Sequence, residues 1–180
     1  DDLSLVKGGP SERRRYLDDA LVATDPALDA LRSDLEKILR QRNALLRQAG
    51  GRLTEDVETT LDVWDSRFAT AGDALARHRR DLVGRLRPVL ADAYSRLAPD
   101  RGELSASYEP AWSVEGLAAA LAEGRREDLR RGSSQVGPHR DELDLVLDGR
   151  PARTHASQGE QRTIALALRL AAHHVVTEAV

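Results

Sequence analysis

Residues 57–82 read VETTLDVWDSRFATAGDALARHRRDL, and the spacing of their apolar positions decides the architecture. Val57, Leu61, Trp64, Phe68, Ala71, Leu75, His78 and Leu82 recur in alternating steps of four and three. A seam of this period keeps one face of a helix against a partner over many turns, which is the pattern of a coiled coil. Leu86, Val89, Ala93 and Leu97 continue it more loosely. Pro88 falls inside that run; an interior proline costs about 3 kcal/mol but can bend a long helix without ending it, so a bend is expected over 86–89.

The same spacing appears upstream at Leu28, Leu31, Leu35, Ile38, Leu45 and Ala49, with Arg42 standing in one seam position. Gly50-Gly51 interrupts it, and Thr54 followed by Glu55 and Asp56 restarts a helix with acids at its positive end. So short a connection predicts that the two helices fold back on each other as an antiparallel hairpin.

Around this hairpin the chain is less regular. Ser11 is expected to cap a short amphipathic helix from Glu12 to Val22, and Asp25 with Pro26 to start the next one. Pro99-Asp100-Arg101-Gly102 is a stop signal. Beyond it, Leu104–Tyr108 reads as a strand, Ser113 as the cap of a helix through Leu121, and Arg125–Arg131 as a second short, basic helix. Leu143–Leu147 alternates as a strand before the tight-turn pair Asp148-Gly149, and a last helix runs from about Glu160. The fold class expected is mainly α with a small α/β part: a long, coiled-coil-like antiparallel helical arm over 10–98, joined to a lobe over 99–180.

Composition narrows the function classes. The formal net charge is −3 over 180 residues, 32% of them charged, so no global basic field marks a nucleic-acid binder, although a local basic face is compatible with that sum. Of the 27 basic residues only Lys7 and Lys37 are lysines; the remainder are arginines, suited to forked contacts with carboxylates and phosphates. The absence of cysteine excludes disulfides and thiolate metal sites and fits a reducing cytoplasm. No stretch reads as a signal peptide or a bilayer span. The chain begins at Asp1, contains no methionine, and stops at Val180 after a helix that is apolar nearly all round. These features lead to the expectation of a piece of a longer protein.

The chemistry concentrates where Ser157-Gln158-Gly159-Glu160-Gln161 opens that last helix. The first amides of a helix lack internal partners and carry about half a positive charge, so a serine hydroxyl and a glycine without a side chain make a site for a phosphate. The same residues also form an ordinary capping box, Ser157 bonding forward and Glu160 reaching back. Both readings stay open on the residues alone.

Three stretches together carry a family resemblance: SQGEQRTIALALRLA from Ser157, GPHRD over 137–141, and LVKGGPSERRRYLDDAL over 5–21. In this order they resemble the RecF family, relatives of the SMC-like ABC-type ATPases, over essentially the whole chain. The resemblance implies a partial ABC-type ATPase head, with 1–9 ending a preceding head segment. It implies binding of ATP with Mg, ATP-dependent homodimerisation, and recognition of DNA at single-strand/double-strand gap junctions. It further implies loading of RecA with RecO and RecR, in replication, recombination, repair and the SOS response.

Ser157, Gln158, Gly159, Glu160 and Gln161 would then form a nucleotide site in trans, Ser157 donating to the γ-phosphate of ATP held by a partner and Gly159 offering its amide. His139 and Arg140 are candidates for a place near the nucleotide or the DNA, or for a turn with an internal Arg–Asp pair. No G-x-x-x-x-G-K-[ST] loop and no apolar strand ending in paired acids is present. The resemblance therefore implies half of a composite site, with no catalytic residue and no metal ligand assigned and no ATP expected on this piece alone.

For DNA, one basic stretch comprises Arg77, Arg79, Arg80, Arg85 and Arg87, and another Arg125, Arg126, Arg130 and Arg131. Solvated faces paired with nearby acids explain the same residues. Glu142 and Asp144 share one strand face without other ligands at metal spacing, and adjacent His173 and His174 cannot share a helix face. A rival reading from another class is a non-catalytic coiled-coil interaction module in which Ser157 only caps a helix; another SMC-like ATPase is a third.

Overall fold

The computed structural model describes residues 2–179. Asp1 and Val180, the outer bounds of the first and last expected segments, lie outside the described residues. In chain order the elements are α1 (Asp2–Lys7), α2 (Pro10–Thr24), α3 (Leu28–Ala49), α4 (Glu55–Leu97), β1 (Leu104–Ser107), a 3-10 turn (Ala111–Ser113), α5 (Leu117–Arg131), β2 (Asp144–Leu147), β3 (Arg150–Pro151), α6 (Ala152–His155) and α7 (Gln158–Ala179). The fold is mainly helical with one small antiparallel sheet, ordered β1-β2-β3.

Contacts group these residues into two units. A sheet unit draws on Asp1–Pro26, His78–Glu109 and Asp141–Val180, and a hairpin unit on Ala27–Arg77 and Pro110–Arg140.

In the hairpin unit α3 and the first half of α4 run antiparallel. Leu46, Leu61 and Leu129 form a buried cluster flanked by Leu45, Ala49 and Val57. The turn between the helices uses Gly50 at φ 55° as a left-handed cap, and Thr54 Oγ1 accepts the Val57 amide. The buried line on α3 is Leu35, Ile38, Arg42 and Leu46. Leu46 thus replaces the expected Leu45, because α5 packs on this hairpin as a third helix and Leu129 draws the buried face round.

Arg42 is the centre of this unit. It has no solvent exposure, and its Nε donates to Asp65 Oδ1 at 2.6 Å while Nη1 donates to Asp128 Oδ2 and to Ser134 Oγ, both at 2.7 Å. Asp65 is shared with Arg125, whose Nη2 reaches Asp65 Oδ2 at 2.7 Å and Asp62 Oδ1 at 2.6 Å. One arginine therefore joins α3, α4, α5 and the segment after α5.

In the sheet unit β1 pairs antiparallel with β2, Leu104 opposite Leu147 and Ser107 opposite Asp144. Leu104, Ala106, Leu145 and Leu147 are buried while Ser105 and Asp144 are exposed, the alternation expected of a sheet covered on one face. Asp148 at φ 50° and Gly149 at φ 73° make the two-residue turn into β3. Against α7, whose buried face carries Ile164, Leu168, Ala171 and Val175, pack α1 and α2; Tyr16 Oη donates to the Leu168 carbonyl at 2.7 Å. Arg13 grips Glu142 through Nε at 2.7 Å and Nη2 at 2.8 Å, and its Nη1 reaches the carbonyls of Leu5, Val6 and Gly8.

Several local expectations are corrected. Helix α2 begins one residue before Ser11, with Pro10 at its first position and Gly9 as cap, because proline has no amide to leave unpaired there. Asp25 ends α2 in extended conformation, and α3 starts only at Leu28, after a turn. Ser113 closes a 3-10 turn and caps nothing; α5 is a single helix through Gly124, capped by Gly116. Its burial of Leu117, Leu121 and Leu129 outweighs the roughly 1 kcal/mol that an interior glycine costs. His78, assigned to the seam, is exposed, whereas Arg79 beside it is buried. Helix α4 continues through Pro88.

Removing one partner from a buried ion cluster leaves the others uncompensated, so Arg42→Ala is expected to destabilise the hairpin unit by about 3–5 kcal/mol. Urea denaturation followed by circular dichroism would show a lower midpoint with the slope retained.

Candidate functional site

The start of α7 adopts the capping-box geometry in full. The Ser157 amide donates to Glu160 Oε2 at 2.7 Å, and Ser157 Oγ accepts the Glu160 amide at 3.3 Å. Hydrogen bonding to Ser157, with Arg101 adding a smaller effect, holds the Glu160 carboxyl below the ordinary glutamate range. Gln161 is buried under the first turn and its Nε2 donates to the Ala156 carbonyl at 3.0 Å, tying helix to loop.

Ser157, Gln158 and Gly159 are exposed, and a Cβ added to Gly159 would meet nothing within 4 Å. Beside them lies an open cleft of about 360 Å³ whose lining includes Pro99, Arg101, Gly159, Glu160 and Thr163. Arg101 Nη1 stands 3.9 Å from Glu160 Oε1. A cation, exposed amides and a serine hydroxyl thus share one helix mouth, with Glu160 as the resident anion. An incoming phosphate has the chemistry to replace that carboxylate.

The GPHRD residues divide between the units, Gly137 to Arg140 in the hairpin unit and Asp141 in the sheet unit. Gly137 has φ 128°, and a Cβ there would lie 2.8 Å from the Phe68 ring, so only glycine fits. His139 packs its ring on Phe68 with centroids 5.8 Å apart, and its Nε2 lies 3.1 Å from the Ser134 carbonyl. Arg140 is exposed, with Nη2 3.4 Å from the same carbonyl. Asp141 is buried and accepts the Tyr108 hydroxyl at 2.6 Å.

The candidate DNA arginines separate by burial. Arg79 is 3% exposed, chelates Asp18 through two 2.8 Å bonds, and lies over the Tyr108 ring. It is a core residue of the sheet unit and drops out of any phosphate-binding face. Arg85 spends Nη2 on the Val175 carbonyl at 3.0 Å, and Arg125 is committed to Asp62 and Asp65. Arg130 and Arg131 both bind Glu127, whose carboxyl they push down to about 2. Arg77, Arg87 and Arg126 are exposed and Arg80 is half-buried.

Glu142 partners Arg13. Among the described residues no group of His, Cys, Asp or Glu is arranged to hold a metal, and no helix is long and apolar enough to cross a membrane. His173 and His174 are exposed.

No protein-family model matches the chain. It is 44% identical over 191 residues to the DNA replication and repair protein RecF of Streptomyces avermitilis, an alignment covering 98% of this chain and 51% of that protein. To RecF of Paenarthrobacter aurescens it is 42% identical over 210 residues, covering 99% and 53%. Among solved structures it superposes on the recombination mediator protein RecF with ATP, of the RecFOR pathway, with TM-score 0.90 and 27% identity over 99% of this chain and 49% of the other. The ATPrS form of RecF gives 0.91 and 26%. The chain spans about half the length of the relatives it matches.

Loss of the capping hydroxyl in Ser157→Ala is expected to cost about 0.5–2 kcal/mol in thermal unfolding. Because the folded Glu160 carboxyl titrates below its unfolded value, its contribution is present above the ordinary glutamate range. It is lost as pH falls through the lowered value. An NMR pH titration of the Ser157 amide should follow that loss, and Glu160→Gln should flatten it.

Proposed function

Starting from a chain that is RecF-like in sequence and fold along nearly its whole length, we propose that it serves a DNA repair and recombination ATPase by supplying the signature motif in trans and the helical arm. The observation that carries this reading is the helix mouth itself. Ser157 and Gly159 are exposed at the first turn of α7, with open space over Gly159. ATP would bring the negative phosphate charge that this end of the helix attracts. Ser157 would donate its hydroxyl to the γ-phosphate, Gly159 its amide, and Gln158 and Glu160 would border the site, while Gln161 holds the loop beneath them. Each hydrogen bond to a charged phosphate is worth about 1.5–3 kcal/mol, enough for two symmetric sites to set whether a dimer forms.

In this reading 10–98 is the arm, 99–180 is the lobe that bears GPHRD and SQGEQR, and ATP with Mg is bound in the complete composite site of a cytoplasmic homodimer. The assembly recognises gapped DNA and acts with RecR and RecO to load RecA. Contact with DNA phosphates falls to the exposed Arg77, Arg87 and Arg126 and to the half-buried Arg80. Few aromatic residues are available for stacking, which favours duplex backbone over single-strand contacts. The coiled-coil module is supported by a different observation, the closed capping box, which employs Ser157 fully without a ligand.

Light scattering of a full-length protein carrying this sequence, with and without ATP, separates the two. Ser157→Arg is expected to retain nucleotide binding by the monomer and abolish ATP-dependent dimers; unchanged dimers would reduce Ser157 to a cap. For DNA, binding to a gapped duplex should weaken steeply with salt, and Arg87→Gln should lower the salt slope by about 1 without altering sequence preference.

A further inference from the structure

In the hairpin unit Ser134 faces two ways. It is 1% exposed. Its amide and hydroxyl both donate to Asn43 Oδ1, at 2.8 and 2.7 Å, and its hydroxyl accepts Arg42 Nη1 at 2.7 Å. Its carbonyl points the other way, to His139 Nε2 at 3.1 Å and Arg140 Nη2 at 3.4 Å. Asp128 fixes the same segment, its Oδ1 accepting the Gln135 amide at 2.9 Å and its Oδ2 binding Arg42. Phe68 of α4 closes the far side against Gly137 and the His139 ring.

We infer that Ser134 is a positioning residue through which helix α3, by Arg42 and Asn43, sets the orientation of His139 and Arg140. The loop and the hairpin then move as one body: a shift of α3 relative to α4 changes the Arg42–Asp65 geometry and reaches the carbonyl that orients the histidine. A side chain filling space would need neither the hydroxyl nor the amide acceptor. Ser134 uses each of its polar atoms, three contacts toward α3 and two toward the motif. The functional consequence rests on the proposed nucleotide-dependent dimer; the structural relay does not.

The test compares Ser134→Ala, Ser134→Thr and Asn43→Ala, each checked first by thermal unfolding. Asn43→Ala leaves the ion cluster in place, so it serves if Ser134→Ala does not fold. NMR of the histidine-labelled chain reads the His139 ring nitrogens, and hydrogen exchange reads the amides of 135–140. Ser134→Ala and Asn43→Ala are expected to shift the His139 signals and speed exchange in the loop about three- to tenfold, the effect of a lost hydrogen bond. Ser134→Thr should restore both. In a full-length protein carrying this sequence the same two variants should weaken ATP-dependent dimerisation and the threonine should rescue it. Unchanged His139 signals in the folded variants, or equal effects of alanine and threonine, overturn the relay. Shifted signals with wild-type dimerisation overturn its functional consequence, whereas Ser157→Arg that still dimerises counts against the nucleotide reading alone.

Discussion

A guanidinium without access to water must find its counter-charges inside the protein, and in the hairpin unit that requirement governs the packing. Arg42 can be buried only if Asp65, Asp128 and Ser134 arrive together, each from a different part of the chain. A hydrophobic side chain would tolerate a helix that slid or rotated by a few degrees. An arginine with three bonds at or below 2.7 Å does not, and a half-made cluster costs more than none. Burial pushes the Asp128 carboxyl above its ordinary range, and the Arg42 guanidinium draws it only partly back.

Much of this architecture was legible in the sequence because it obeys periodic rules. The two helices of the hairpin, the glycine turn at 50–51, the Thr54 cap, the Asp148-Gly149 hairpin and the Ser157/Glu160 box all follow from local spacing. What was not legible depends on third partners. Leu46 displaces Leu45 because of Leu129, 83 positions from Leu46, and no local pattern announces that contact. Arg42 read as a gap in a seam; its acids lie 23 and 86 residues away. Arg79 looked like part of a basic surface because charge is visible in a sequence while burial is not. Ser113 misled for the opposite reason, as a local signal overridden by the packing of α5.

The candidate site shows the same division. Its residues were recognisable as a set, and their hydrogen bonds could be drawn from the spacing S-x-x-E alone. Arg101 was not: it enters the helix mouth from the loop after α4, more than fifty positions earlier in the chain. Its charge changes the electrostatics of the mouth, for Glu160 there has two attractive neighbours, the Ser157 amide and an exposed cation. A carboxylate so placed neutralises the helix end when no other anion is present.

The interleaving of the two units has a consequence for the order of synthesis. Helices α1 and α2 are synthesised before α7, the helix against which they pack. Until it emerges, Leu17, Leu21 and Val6 have no α7 surface to cover them. The hairpin unit, in contrast, is complete by Arg140 and can close while the sheet unit is still open. Contacts of such long sequence separation slow folding and expose apolar surface meanwhile. Completion of the sheet unit therefore waits on α7, whereas the hairpin unit closes without it.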